Sequence, residues 1–379
     1  MGLGEKKQKV MEYNSQGLPL RTAFTIAEIS KHQYYHQPKQ GGKAGKKPTT
    51  STTLLNESGE SSIVANNMVV EQIKKLHKDP DLAYGYRGTT RALQQEGYLI
   101  NHKKVYRLMK KHGLLQEKHK TSSKTYVKYR MVQPSKPLEV IEMDLKMVWI
   151  ERERKHAFIL NILDTFSRKW LYQSVSFSIT QHQVKQAWEH IIEHHLQPND
   201  LLKKQLHIEI RNDNDKRFSA KMIQEFFKEN KLNQVFTHPY TPQENGHVES
   251  FHAILSRHLK RFNFWKLDDL EQDLIIFQET YNNQRIHASI AHLSPNDFEQ
   301  LWQLDLVRTS CNVGTRRLNF KLKTPYFNVK KLTGNNEPEG SSLLDFAKIE
   351  TEKRGMAPTH SYNLRYKKSP SVVPCNANV

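Results

Sequence analysis

Three carboxylates, Asp144, Asp213 and Glu249, stand where separate elements can bring acids together, with 35 residues between the last two. Asp144 lies inside the alternating stretch LEVIEMDLKMVWI, Asp213 follows the alternation of LHIEIRN, and Glu249 opens the helical pattern of ENGHVESFHAILSRHL. Acids on a strand, a strand end and a helix rim offer the hard oxygen ligands that magnesium accepts. Two such ions about 3.5 to 4 Å apart stabilise the attacking and leaving oxygens of a phosphodiester displacement. Asp144 is the expected bridging ligand, because a residue at mid-strand is held most rigidly.

With 39 acidic residues in the chain, accidental spacings are common, so each member has to be weighed against its neighbours. Asp164 ends the run NILDTFSRKW, where an Asp usually accepts backbone hydrogen bonds in a turn. Asp215 could stand in for Asp213, but Asp213 directly follows the alternating Ile208 and Ile210 and is preferred. On the terminal helix Val248, Phe251, Leu255, Leu259 and Phe262 make a buried stripe, and Glu249, about 100° from Val248, falls at its edge beside Ala253, Ser256 and Lys260. The preceding HPYTPQENGH has the Pro, Gly and Asn content of a mobile lid.

The elements that must position these acids form an α/β layer plan. Between about 138 and 298 the order is three strands, helix, strand, helix, strand and two more helices, one domain at 138–300. Ahead of it, 1–37 reads as a helix-turn-helix-like unit of short helices, with Ser30 a plausible N-cap, and 38–65 as a flexible linker rich in Gly, Pro, Lys and Thr. A second helix-turn-helix-like unit occupies 66–120, and 121–137 is a further linker. Its last helix, NHKKVYRLMKKHG, buries Val105, Leu108 and Met109 and gathers Lys103, Lys104, Arg107, Lys110 and Lys111 on the opposite side, a face suited to phosphates. Both units are read as all-α. Residues 301–333 form a basic extension with a half-buried strand in RRLNFKLK, and 334–379 a disordered tail.

Composition agrees with a polyanion partner. Lys and Arg number 58 against 39 Asp and Glu, a formal net charge of +19, and a field of that sign attracts nucleic acid. Charge alone fits a merely soluble or ribosome-associated basic protein equally well. Cys311 and Cys375 are far apart, so neither a disulfide framework nor a zinc finger is supported, and His32 and His36 lack the Cys pair that would complete a zinc site. No run of 18 apolar residues exists, so a membrane partner is not expected and the cytosol is.

Five segments resemble bacterial insertion-sequence transposases whose catalytic core is similar to retroviral integrases. AYGYRGTTRALQQEGYLINHKKVYRLMKKHGLL, with Tyr84, Gly85, Tyr86 and Arg87, resembles their helix-turn-helix region. LNILDTFSRKW, NDNDKRFSA, HPYTPQENGHVESFHAIL and ETYNNQRIHASIAHLSPNDF resemble successive core motifs. The resemblance implies a ribonuclease-H-like core with a five-stranded mixed sheet, and Asp144, Asp213 and Glu249 as the catalytic and metal-binding triad. It also implies two Mg²⁺ ions, with Mn²⁺ as a substitute, and cleavage and joining of double-stranded DNA at element ends. Lys103, Lys104, Arg107, Lys110 and Lys111 would contact that DNA, as would Arg87 and Lys260. A homo-oligomer on the DNA ends and a bacterial, nucleoid-associated location follow from the same likeness.

The chain departs from the pattern at Asp215, where Gly is common, at Lys216 and Arg217, at Lys146, and at Ser256, where a cation is usual. Those departures leave open an alternative, a catalytically decayed copy acting as a sequence-specific DNA-binding repressor. A ribonuclease H acting on RNA–DNA hybrids would explain the triad but not the basic helical units.

Overall fold

The computed structural model describes residues 2–36, 49–56, 58–116, 134–203, 207–238, 242–311, 318–334 and 365–366. The chain divides into two compact units, Met1–Thr49 and Thr50–Val379. The first contains α1 (Leu3–Ser15), α2 (Leu20–Ile26) and α3 (Lys31–Tyr35) around Val10, Ala23, Ala27 and Ile29. Ser30 caps α3 as its sequence implies, its side chain accepting from the Gln33 amide at 3.1 Å.

The second unit opens with two corrections. Residues 51–65 are not linker: β1 (Ser51–Leu55) and β2 (Ser61–Ala65) form an antiparallel hairpin. Nor is the second DNA-binding-type unit all-α. After α4 (Asn66–Leu76) and α5 (Tyr86–Gln95), β3 (Tyr98–Leu99) pairs with β1 to give the sheet order β2-β1-β3 before α6 (His102–Lys111). The physical reason is backbone pairing: Ile63 is 79% exposed, so β2 carries little apolar signal of its own. Gly97, at φ +94°, lets the α5–β3 turn press against the Leu55 carbonyl, where a Cβ would collide. Val69, Ile73, Leu93, Val105 and Met109 close the core of this winged unit.

The large sheet contains β4 (Val140–Ile150), β5 (Lys155–Asp164) and β6 (Trp170–Ser176), then, after α7 (Gln181–Ile191), β7 (Ile208–Asn212), α8 (Lys221–Glu229) and β8 (Leu232–Phe236). Its order is β6-β5-β4-β7-β8; the first three strands are antiparallel, and β7 and β8 run parallel to β4 and to each other. Next come α9 (Gly246–Leu259), β9 (Phe262–Asn263), α10 (Leu267–Asn283) and α11 (Pro295–Gln303). The side-chain period of two sorts β4 between the two helical layers. Ile141 and Met143 pack with Val184, Trp188, Ile223 and Phe227 of α7 and α8, while Ile150 packs with Phe251, Leu255, Leu274 and Phe277 of α9 and α10. The even-numbered positions of β4, Asp144 among them, therefore face α9.

The basic extension does not start a separate body at 301, because α11 runs through Gln303. Strands β10 (Val307–Cys311) and β11 (Leu318–Leu322), followed by α12 (Val329–Thr333), share a buried cluster with Phe166 and Phe298. Within the tail, β12 (Arg365–Tyr366) pairs with β9; the rest of 335–379 lies outside the described residues, as do 38–48 and 121–133 of the two linkers and residues 37 and 117–120 beside them.

Candidate active site

Asp144 sits mid-strand on the face of β4 covered by α9. Burial pushes its carboxyl up to about 7, reinforced by the like charges of Asp213 and Glu249, against the Leu145 amide and Lys146, which act the other way. Two further elements thus bring Asp213 and Glu249 within electrostatic reach of Asp144. Asp213 directly follows β7, and Glu249 lies exposed in the first turn of α9. Among the described residues no three His, Cys, Asp or Glu side chains close into a ready metal cage. The donor chemistry nevertheless fits a divalent cation: hard oxygens from rigid elements, and a central carboxyl whose ionisation burial and two neighbouring acids oppose.

The rival acids are accounted for. Asp164 is the buried last residue of β5 and accepts from the amides of Leu138 (3.0 Å) and Ser167 (2.8 Å) and from the Ser167 hydroxyl (2.5 Å). It holds a turn in which Arg168 takes the left-handed φ of +66°, and so is structural. Asp215 is gripped by Arg217, with Nε at 2.8 Å from Oδ1 and Nη2 at 2.6 Å from Oδ2, and this bond, its largest influence, lowers its pKa. The two departures cancel one another locally, leaving Asp213 to accept the Asp215 amide at 3.2 Å.

Two site-lining residues escape sequence reasoning. His252, one turn after Glu249 on α9, places Nδ1 3.5 Å from Asp144 Oδ2 and Nε2 3.1 Å from the Asn161 side-chain nitrogen. Burial and then Lys146 hold its pKa down at about 4, so near neutrality the imidazole is uncharged and the contact with Asp144 is not an ion pair. Glu142, fully buried two residues before Asp144, accepts the Val248 amide at 2.7 Å. The signal that could have found both is parity: Glu142 shares the inward face with Asp144, and His252 follows Glu249 by three. The lid reading of 238–247 changes where it is described. Pro242–Asn245 is a helical turn, with Glu244 buried and accepting from the His238 amide at 3.0 Å. Residues 239–241 lie outside the described residues.

The basic residues separate into two groups. Lys103, Arg107, Lys110 and Lys111 are exposed on α6, as is Arg87 at the start of α5, its Nε 3.2 Å from the Tyr86 hydroxyl. Lys104 stands apart from this row: it is half-buried, and its ammonium donates to the Ser51 carbonyl, tying α6 to the hairpin. Lys260 is exposed at the far end of α9, eleven residues and so about 16 Å along the helix from Glu249.

The winged unit is anchored to the core beneath α9. Asp81, in the loop between α4 and α5, meets His258 Nδ1 at 2.8 Å and also Arg261, while His258 Nε2 meets Asp273 of α10 at 2.8 Å. Arg285 donates to the Asp81 carbonyl, and the Tyr84 hydroxyl accepts the Ile286 amide at 3.1 Å.

A mixed sheet ordered β6-β5-β4-β7-β8, flanked by helices and carrying acids on its central strand, beside its neighbour and on the covering helix, is a ribonuclease-H-like core. Residues 134–242 and 230–295 match families described as integrase core domain, and 65–121 match an HTH-like domain. The chain is similar to insertion-sequence transposases. It is 23% identical over 302 residues to a putative transposase InsK for insertion sequence element IS150 of Escherichia coli, covering 76% of this chain and 96% of that protein. It is 23% identical over 251 residues to the transposase for insertion sequence element IS904 of Lactococcus lactis, covering 62% and 95%. Among solved structures, the catalytic core domain of BIV integrase is 19% identical at a TM-score of 0.33, covering 44% of this chain and 97% of that one. No helix among the described residues is long and apolar enough to cross a membrane.

Proposed function

We propose that this protein is a DNA transposase that binds the ends of a mobile element and catalyses strand cleavage and strand transfer. The observation that carries the reading is the placement of Asp144 on the central strand with Asp213 and Glu249 near enough to act on its charge, in the same compact unit as a winged helix-turn-helix. Asp144, Asp213 and Glu249 would hold two divalent ions, Mg²⁺ or Mn²⁺, whose chemistry when bound is to activate the attacking hydroxyl and neutralise the leaving oxygen. The residues of the chain supply the frame. Asp144 is fixed by its pairing with Asn161 of β5, just past the stretch Val140–Glu142 where β4 also pairs with β7, and Arg217 occupies Asp215 so that Asp213 stays available. Exposed Lys103, Arg107, Lys110 and Lys111 hold phosphates of double-stranded DNA and set its register. A homo-oligomer is required, since two ends must be held at once.

The test is strand transfer on DNA carrying element ends. Asp144→Asn, Asp213→Asn and Glu249→Gln should each lower it by about a hundredfold or more, the several kcal/mol that metal stabilisation supplies. Unchanged transfer in all three, with the fold intact, sinks the reading. The repressor alternative drew on Asp215 and Ser256, and the Asp215–Arg217 pair removes the first of those reasons.

A further inference from the structure

We infer that Glu142 is a positioning residue that sets Glu249 against Asp144 by holding the first turn of α9 on the central strand. The inference rests on the reading of Glu249 as a metal ligand. Glu142 and Asp144 project from the same face of β4, one pleat apart. The first amides of a helix have no partner within it, and Asn245, the residue before α9, gives them no side-chain bond. Glu142 supplies one from the strand: its Oε2 accepts the Val248 amide at 2.7 Å, one residue before Glu249.

Arg211 repeats the arrangement on the next strand. It is the cross-strand partner of Glu142 in the β4–β7 pair, is buried, and stands two residues before Asp213. Its guanidinium donates to the Glu244 carbonyl at 3.2 Å and pairs with Glu209. Each of the two strands therefore carries, one pleat behind its site carboxylate, a buried ionisable side chain that grips the segment leading into Glu249. Burying a carboxylate is costly, and an apolar side chain would fill the same space without that cost. What Glu142 adds beyond packing is the bond to α9.

The experiment titrates the full chain with Mn²⁺ alone by calorimetry, alongside strand transfer. Glu142→Ala should weaken Mn²⁺ binding by about tenfold, while Glu142→Gln, which keeps an acceptor oxygen, should stay within about twofold of the parent. In a Glu249→Gln background Glu142→Ala should cost nothing further, because the ligand it positions is gone. Glu142→Met, which fills the same space without an acceptor oxygen, should weaken binding as Glu142→Ala does and decides the matter if Glu142→Ala does not fold. Parent-like affinity in folded Glu142→Ala or Glu142→Met, or additive losses in the double variant, overturns the inference. An unchanged affinity in Glu249→Gln overturns the ligand reading and this inference with it; a weakened Glu249→Gln beside an unchanged Glu142→Ala overturns the inference alone.

Discussion

At the scale of single residues, the neighbourhood of Asp144 is defined by a neutral imidazole as much as by the acids. With its Nε2 facing the Asn161 amide, His252 turns its other nitrogen to Asp144. A group that orients a metal-bound carboxylate in this way commonly carries 10–100-fold in affinity or activity. His252→Ala should therefore slow strand transfer by about tenfold, with His252→Asn, which retains an N–H donor, nearer the parent. Comparison of kcat at saturating Mn²⁺ for the two variants checks this, and equal losses in both would count against it. Asp144 and Asp213 were legible because each belongs to an alternating run, and Glu249 because its helix has a clear stripe. His252 was not, since its spacing of three from Glu249 carries meaning only once Glu249 is placed at the site.

At the scale of elements, the sheet and its helices follow the periodicities of the sequence closely, from β4 at Val140–Ile150 to α10 at Leu267–Asn283. The hairpin β1–β2 was hidden because Ser and Thr dominate it and its stability lies in main-chain pairing. The clamp on His258 was hidden for a different reason: Asp81 is 177 residues away along the chain, and a contact of that separation leaves no periodic trace.

That clamp makes a measurable prediction. Burial works to lower the His258 pKa, but the hydrogen bonds and charges of Asp273 and Asp81 outweigh it and the net shift is upward, with Arg261 and the stacked Phe277 completing its surroundings. A histidine raised in the folded state stabilises fully below its unfolded pKa of about 6.5, and that stability is lost as pH rises through the folded value. The melting-temperature gap between the parent and His258→Gln should thus be widest near pH 6, corresponding to about 2 kcal/mol, and should narrow toward pH 9. A gap that is constant with pH would show that His258 does not carry a proton in the clamp.

At the scale of the whole molecule, the net charge of +19 is unevenly usable. Lys104 is engaged with Ser51 and Lys169 with Glu299 at 2.6 Å, while Lys103, Arg107, Lys110 and Lys111 present an open row. Each phosphate neutralised by such a residue releases counterions, so log K falls with log salt. Alanine at Lys103, Arg107, Lys110 or Lys111 should reduce the slope by about one per site, whereas Lys104→Ala should leave the slope nearly unchanged and lower thermal stability instead. DNA-binding isotherms at several salt concentrations, with melting curves for Lys104→Ala, distinguish the two outcomes.

Helix α9 bears Glu249 in its first turn and His258 in its last, where the winged unit is fastened. Nine residues of α-helix are about 13 Å of rod. The protein thereby contains a ruler: on the function proposed above, the offset between DNA held on α6 and the carboxylate of Glu249 would be set by a fixed length of peptide, the span of one helix.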